Sequence, residues 1–220
     1  MINALNYLKL DLRIIRDSLK YFISLPFVFI LLSLKESSVM GLGYIFFLLV
    51  IIAATPFSTA SSEKCDKMYY MFPSKISNMV LGRYLFLSGI VLFAWIIDST
   101  MMSYLYKTNA MNMLEVTAIT LSGSLATIVC FVQYPIYYKF GIEKGKVISS
   151  LLYMVPGFVI FALPSALKES SFLSSDFFEH ALSLVVSNKL ILPLLILVII
   201  GIAGFISLSL SCSICRKKEL

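Results

Sequence analysis

The sequence predicts an all-α integral membrane protein. It is expected to have six transmembrane helices and an N-terminal amphipathic interfacial helix. Three observations predict this class. The 220 residues are 59% hydrophobic and only 14% charged, with mean hydropathy +0.91, more apolar surface than a soluble domain of this size needs. Six apolar runs approach membrane-spanning length. The basic residues fall in alternate connections between those runs.

Residues 1–20 read as the interfacial helix. Leu5, Leu8, Leu12, Ile15 and Leu19 recur at helical spacing, with Lys9, Arg13, Arg16, Asp17 and Lys20 elsewhere on the wheel. Such a helix lies along the inner membrane surface with its apolar side in the acyl boundary. No small-residue cleavage site follows, so no cleavable signal peptide is expected.

The six spans are expected at about 21–34, 41–60, 84–106, 116–138, 147–167 and 190–211, in a single transmembrane domain covering 1–220. Residues 61–83 form a polar connection between spans two and three. Span five carries Pro156, Gly157 and Pro164, which are expected to kink or break it. Residues 168–189 form an outer loop. Asp176 and Glu179 mark a helix start there, and Phe177, Phe178, Ala181, Leu182 and Val185 give that short helix an apolar side.

Charge fixes the expected orientation. Lys9, Arg13, Arg16 and Lys20 precede span one. Lys64, Lys67, Lys75 and Arg83 lie between spans two and three. Lys139, Lys144 and Lys146 lie between spans four and five, and Arg216, Lys217 and Lys218 follow span six. The opposite side holds only Lys35, Lys107, Lys168 and Lys189. This asymmetry puts both termini and 61–83 in the cytosol. It also accounts for the net charge of +6 without a nucleic-acid partner.

No catalytic residues are expected. GIEKGKV, Gly141 to Val147, is one residue short of a phosphate loop and has Val147 where magnesium needs a hydroxyl, so it reads as a cytosolic turn. No zinc-protease or nucleophile-elbow motif occurs, and His180 is the sole histidine. Cys212 and Cys215 have metal-like spacing but lack further ligands. With Cys65 and Cys130 they read as reduced thiols, and no metal site is expected. Tyr21, Tyr69, Tyr70, Tyr84, Tyr104, Tyr106, Tyr134, Tyr137 and Tyr138 sit near span ends and read as aromatic belts.

Asp98 stands out by cost. It lies in the outer half of span three, where a carboxylate facing lipid is expensive. It therefore faces the bundle, a partner subunit or water, as a pathway or interface residue. The plain alternative is a protonated Asp98, or one bonded locally to Ser99 or Thr100.

The stretch SSEKCDKMYYMFPSKISNMVLGRYLF, residues 61–86, resembles the loop between spans two and three of small permease subunits of type-2 ABC exporters. The matching residues are Glu63, Lys64, Asp66, Lys67, Tyr70, Pro73, Val80, Leu81, Gly82, Arg83, Tyr84 and Leu85, while Cys65 stands where that family often has Trp. The resemblance implies a coupling helix that docks on a separate ABC ATPase through Glu63, Asp66, Tyr70, Phe72, Pro73, Lys75 and Gly82. It implies two ATPase copies, which would bind ATP and Mg, and no cofactor in this chain. It implies a second permease subunit, identical or homologous, in a bacterial plasma membrane. Exporters of this kind carry amphipathic peptides, such as phenol-soluble modulins or lantibiotics, or hydrophobic drugs.

The residues support this independently. A pump without a nucleotide site needs an outside energy source. The apolar Tyr69, Tyr70, Met71, Phe72 and Ile76 stand among charges in a cytosolic segment, which a merely solvated loop does not require. Two other readings stay open: a stand-alone secondary carrier or channel using Asp98, and a non-transporting peptide-immunity module.

Overall fold

The computed structural model describes residues 4–13, 15–16, 38–60, 76–169 and 191–218. Its elements are helices: α1 (residues 4–13), α2 (Ser38–Ala53), α3 (Thr55–Ala60), α4 (Ile76–Lys107), α5 (Met113–Glu169) and α6 (Ile191–Lys218). Span one at 21–34, loop residues 61–75 and the outer segment around Asp176 and His180 lie outside the described residues.

Among the described residues, Ser77–Lys107, Glu115–Gly141 and Ile196–Lys217 are long and apolar enough to cross a membrane, and Gly41–Phe57 is a shorter apolar helix. The 31 residues of the first extend about 46 Å at 1.5 Å per residue, well beyond a hydrocarbon core of about 30 Å. The helix therefore begins before the expected span at 84–106 and projects beyond the hydrocarbon core. Residues 76–83, counted above as part of the loop, are the first two turns of α4. The chain has no helix breaker between Ser74 and Lys107 except two tolerated glycines, so nothing ends the helix at the membrane surface.

One side of α4 is buried along its whole length: Val80, Tyr84, Leu87, Val91, Ala94, Asp98, Met102 and Leu105. Steps of three and four residues keep them on one stripe. The stripe belongs to the core shared with Leu42, Phe46 and Leu49 of α2 and Ile119, Ala126 and Tyr134 of α5. Both α2 and α6 pack chiefly on α5. The outer side of α6, with Leu197, Ile202 and Phe205, is exposed and suits hydrocarbon.

The connection between α4 and α5 is short, and both helix ends are capped. Asn109 adopts φ 55°. Its N–H donates to Tyr106 O at 3.2 Å, and the Ala110 N–H donates to Leu105 O at 3.0 Å. This is the paired closure of a Schellman end. Two residues later the Asn112 N–H donates to the Glu115 carboxylate at 2.8 Å, the backbone half of a capping box.

Two further expectations are corrected. The turn at 141–147 shrinks to one residue: within α5 only Gly141 leaves helical dihedrals, at φ 78° and ψ −176°. That region is open to glycine and strained for other residues. The helix then runs through Pro156, Gly157 and Pro164 to Glu169, so neither proline breaks it. In α1 the side packed on the protein is Ala4, Tyr7 and Asp11, continued by Ile15, while Leu5 and Leu12 are 46% and 41% exposed, as the lipid-suited Leu197 and Phe205 of α6 are.

Candidate functional site

The described residues on either side of 61–75 converge on one aromatic junction. It starts with Pro56, which has no N–H for the carbonyl of Ile52 and crowds it. Thr55 Oγ1 donates to that carbonyl instead, at 2.7 Å. The chain bends between α2 and α3, and Phe57 turns inward to 4% exposure.

Phe57 meets three tyrosines of α5. It stacks on Tyr137 at 5.0 Å and 19°. It meets Tyr134 and Tyr138 edge-on at 4.9 Å and 5.1 Å. Tyr134, Tyr137 and Tyr138 share one side of the helix because they are three and four residues apart. From α4 the Arg83 guanidinium sits over the Phe57 ring at 4.7 Å and over Tyr138 at 5.7 Å. A desolvated cation over a ring contributes about 2 kcal/mol, and each aromatic pair about 0.5–1.5 kcal/mol beyond its burial.

α1 closes the junction from another side. A Cβ added to Gly82 would lie 2.7 Å from Tyr7 Cβ and 2.9 Å from the Ala4 carbonyl oxygen. Gly82 is thus a close-approach position, and the chain that approaches is α1. Asp11 is buried on the same side of α1. Asp11 and Arg83 both act electrostatically on Tyr134. The Tyr134 hydroxyl reaches the Arg83 carbonyl at 3.5 Å.

A hydrogen-bonded chain ties α6 to α4 and α5. Ser207 Oγ donates to the Phe131 carbonyl, which can only accept. The single Ser207 proton is then used, so the Tyr84 hydroxyl donates to Ser207. The Tyr84 proton is used in turn, so Ser211 donates to Tyr84, at 2.8 Å. Nearer the C-terminal end of α6, Arg216 donates to Ser77 Oγ at 3.4 Å.

Of the expected coupling residues, Glu63, Asp66, Tyr70, Phe72, Pro73 and Lys75 lie outside the described residues. Gly82 lies beneath α1. Asp98 is fully buried, and among the described residues neither carboxylate oxygen has a hydrogen-bond partner. The local bonds considered for it are not made: Ser99 donates to Ile96 O and Thr100 to Ile97 O.

The belt reading is corrected for Tyr84, Tyr134, Tyr137 and Tyr138, which are buried in the bundle. Tyr104 and Tyr106 are exposed, at 56% and 52%. The three- and four-residue spacing of the α5 tyrosines was a usable signal for a shared side. Ser207 and Ser211, one turn apart in an apolar run, were another. Nothing local marked Phe57 or Arg83 as their partners.

Among the described residues no group of three His, Cys, Asp or Glu could hold a metal ion. Cys130 and Cys215 are buried and Cys212 is half-buried.

A family model described as ABC-2 family transporter protein matches residues 6–215. No curated protein and no solved structure matches the chain.

Proposed function

The chain belongs to the ABC-2 family of transporter proteins, and from that premise we propose that it is the permease half of an ATP-driven exporter for an amphipathic peptide or hydrophobic compound. The family supplies the membrane component of ABC transporters. Such a component partners with an ABC ATPase and is not itself catalytic. The proposal adds six spans, both termini in the cytosol, a second permease subunit, identical or homologous, and two ATPase copies that bind ATP and Mg. It places residues 61–75, with Glu63, Asp66, Tyr70, Phe72, Pro73 and Lys75, against the ATPase.

The observation that carries this reading is the junction bracketing the loop. Phe57, four residues before the loop begins, and Arg83, on the second turn after it ends, are in direct contact. Both rest on the tyrosines of α5. A push on the loop is therefore received by a packed unit of α3, α4 and α5 rather than by one free helix. Packed interfaces of this kind move between discrete arrangements instead of deforming continuously.

The experiment is Tyr70→Ala combined with Phe72→Ala. Aromatics at an interface centre are often worth 2 kcal/mol or more, so this variant loses the ATPase in co-purification or uncouples ATP hydrolysis in liposomes. Membrane insertion is unchanged. Lys64→Ala has a small effect, because a rim charge steers more than it binds. Normal partner binding and normal coupling in the double variant would reduce the loop to a solvated connector.

Asp98 favours a second role within the same function. An acid buried in a spanning helix, without a hydrogen-bond partner among the described residues, is costly to keep there and supports a pathway role or, after a rearrangement that uncovers it, an interface role. It is also where a stand-alone carrier would begin, and dependence of transport on the ATPase separates the two.

A further inference from the structure

The seam inside α5 holds two polar side chains that the described residues do not satisfy. Gln133 and Ser149 are each fully buried. Among the described residues, neither amide atom of Gln133 nor the Ser149 hydroxyl has a hydrogen-bond partner. Elsewhere on these helices Ser88, Ser99, Ser103 and Ser150 donate to a carbonyl of the preceding turn. Ser149 does not.

The hinge sets the two at one level. Tyr137 and Gly145 stand four residues before and after Gly141, and Gln133 and Ser149 stand eight before and after it. A Cβ on Gly145 would lie 2.7 Å from Tyr137 Cδ1 and 3.5 Å from Tyr137 Cα, so the two halves of α5 touch there. One more turn away from Gly141 keeps each residue on the same side of its helix. Gln133 and Ser149 thus share the next level of the seam, about 12 Å from the hinge at 1.5 Å per residue. Beyond them come Val129 and Cys130 on one half, buried, and Leu152 on the other, packed on the core.

Buried amide and hydroxyl groups lose their water without return unless another group completes them. A side-chain amide both donates and accepts, and a hydroxyl does either. Among the described residues, Val129, Cys130 and Leu152 beyond them carry no charge, which suits a neutral completing group. We propose that Gln133 and Ser149 form a binding site for a neutral hydrogen-bonding group, either water entering from the cytosolic end or an amide of the transported molecule. The second source rests on the permease reading above; the first does not.

The test labels Ser149→Cys, in a full chain whose four native cysteines are Ala, with the small hydrophilic reagent 2-aminoethyl methanethiosulfonate. The protein is held in nanodiscs with and without its ATPase. Labelling is expected to be at least tenfold faster than at Val129→Cys and to slow at least fivefold when Gln133→Met is added. Slowing by N-methylacetamide but not by N,N-dimethylacetamide, which lacks the N–H, identifies an amide as an occupant. Fast labelling without that protection identifies water alone, and the site stands. Labelling no faster than at position 129, and indifferent to Gln133→Met, overturns the proposal.

A second measurement covers a Ser149→Cys chain that does not assemble. If one ligand is shared, Gln133→Met with Ser149→Ala lowers Tm no further than the worse single change. Additive losses, or a gain in Tm, overturn the site. Failure to bind an ATPase would sink the permease reading and leave both measurements on the chain alone intact.

Discussion

The guanidinium of Arg83 lies 4.7 Å above the ring of Phe57, and this contact joins the two ends of the loop between α3 and α4. Phe57→Ala removes a buried aromatic and its three tyrosine contacts, a loss of about 3–5 kcal/mol by analogy with other buried aromatics. Arg83→Met keeps much of the volume and removes the charge. The two changes together are expected to cost less than their separate costs added, with a coupling of about 0.5–3 kcal/mol. Thermal unfolding of the four chains in detergent measures it. Additivity would mean that the contact carries no energy of its own.

Gly82→Ala drives a methyl group into Tyr7 Cβ and the Ala4 carbonyl. Backbone on the other side cannot yield as a flexible side chain would. The expected result is displacement of α1, read as faster proteolysis at Lys9 and Arg13, with α4 still inserted. Unchanged cleavage would show that α1 does not rest on Gly82.

At Gly141 the geometry separates conformation from packing. Its φ is 78° and a Cβ there would meet nothing within 4 Å, so Gly141→Ala is costly only through the backbone. A loss of about 1–3 kcal/mol is expected. Gly89→Ala, also without neighbours within 4 Å but in a regular helix, serves as the control and should be neutral or stabilising. Equal behaviour of the two variants would contradict the hinge.

Asp98 is tested by shape against charge. Asp98→Asn keeps hydrogen-bonding atoms at the site, and Asp98→Leu does not. Export or subunit assembly is expected to fall sharply in the leucine variant and mildly in the asparagine variant. A leucine variant that is expressed, assembled and fully active would remove Asp98 from pathway and interface alike.

Topology is read by single-cysteine labelling with an impermeant reagent. Position 179 is expected to react in intact cells, and position 144 only after permeabilisation. Reaction at 144 from outside would reverse the orientation argued from the basic residues.

The amino-acid sequence by itself determined the class of this protein. Long apolar runs leave a chain few options but helices in lipid, where every backbone polar group must be bonded within its own segment. The long helices at Ser77–Lys107 and Glu115–Gly141 follow from that constraint, as does the cost attached to Asp98. The polar stretch after Ala60, with its Pro73-to-Gly82 pattern, carried the family. Only the tertiary structure decided which polar and aromatic groups meet. Asp11, Phe57, Arg83 and Tyr138 come from four separate elements, and local pattern is blind to such distances. Tyrosines at a span end look alike whether they face headgroups or one another. The turn at Gly141 was visible as a loop, but its contraction to one residue depended on Gly145 fitting against Tyr137. Periodicity fixes the side on which a residue lies; only packing fixes what stands opposite.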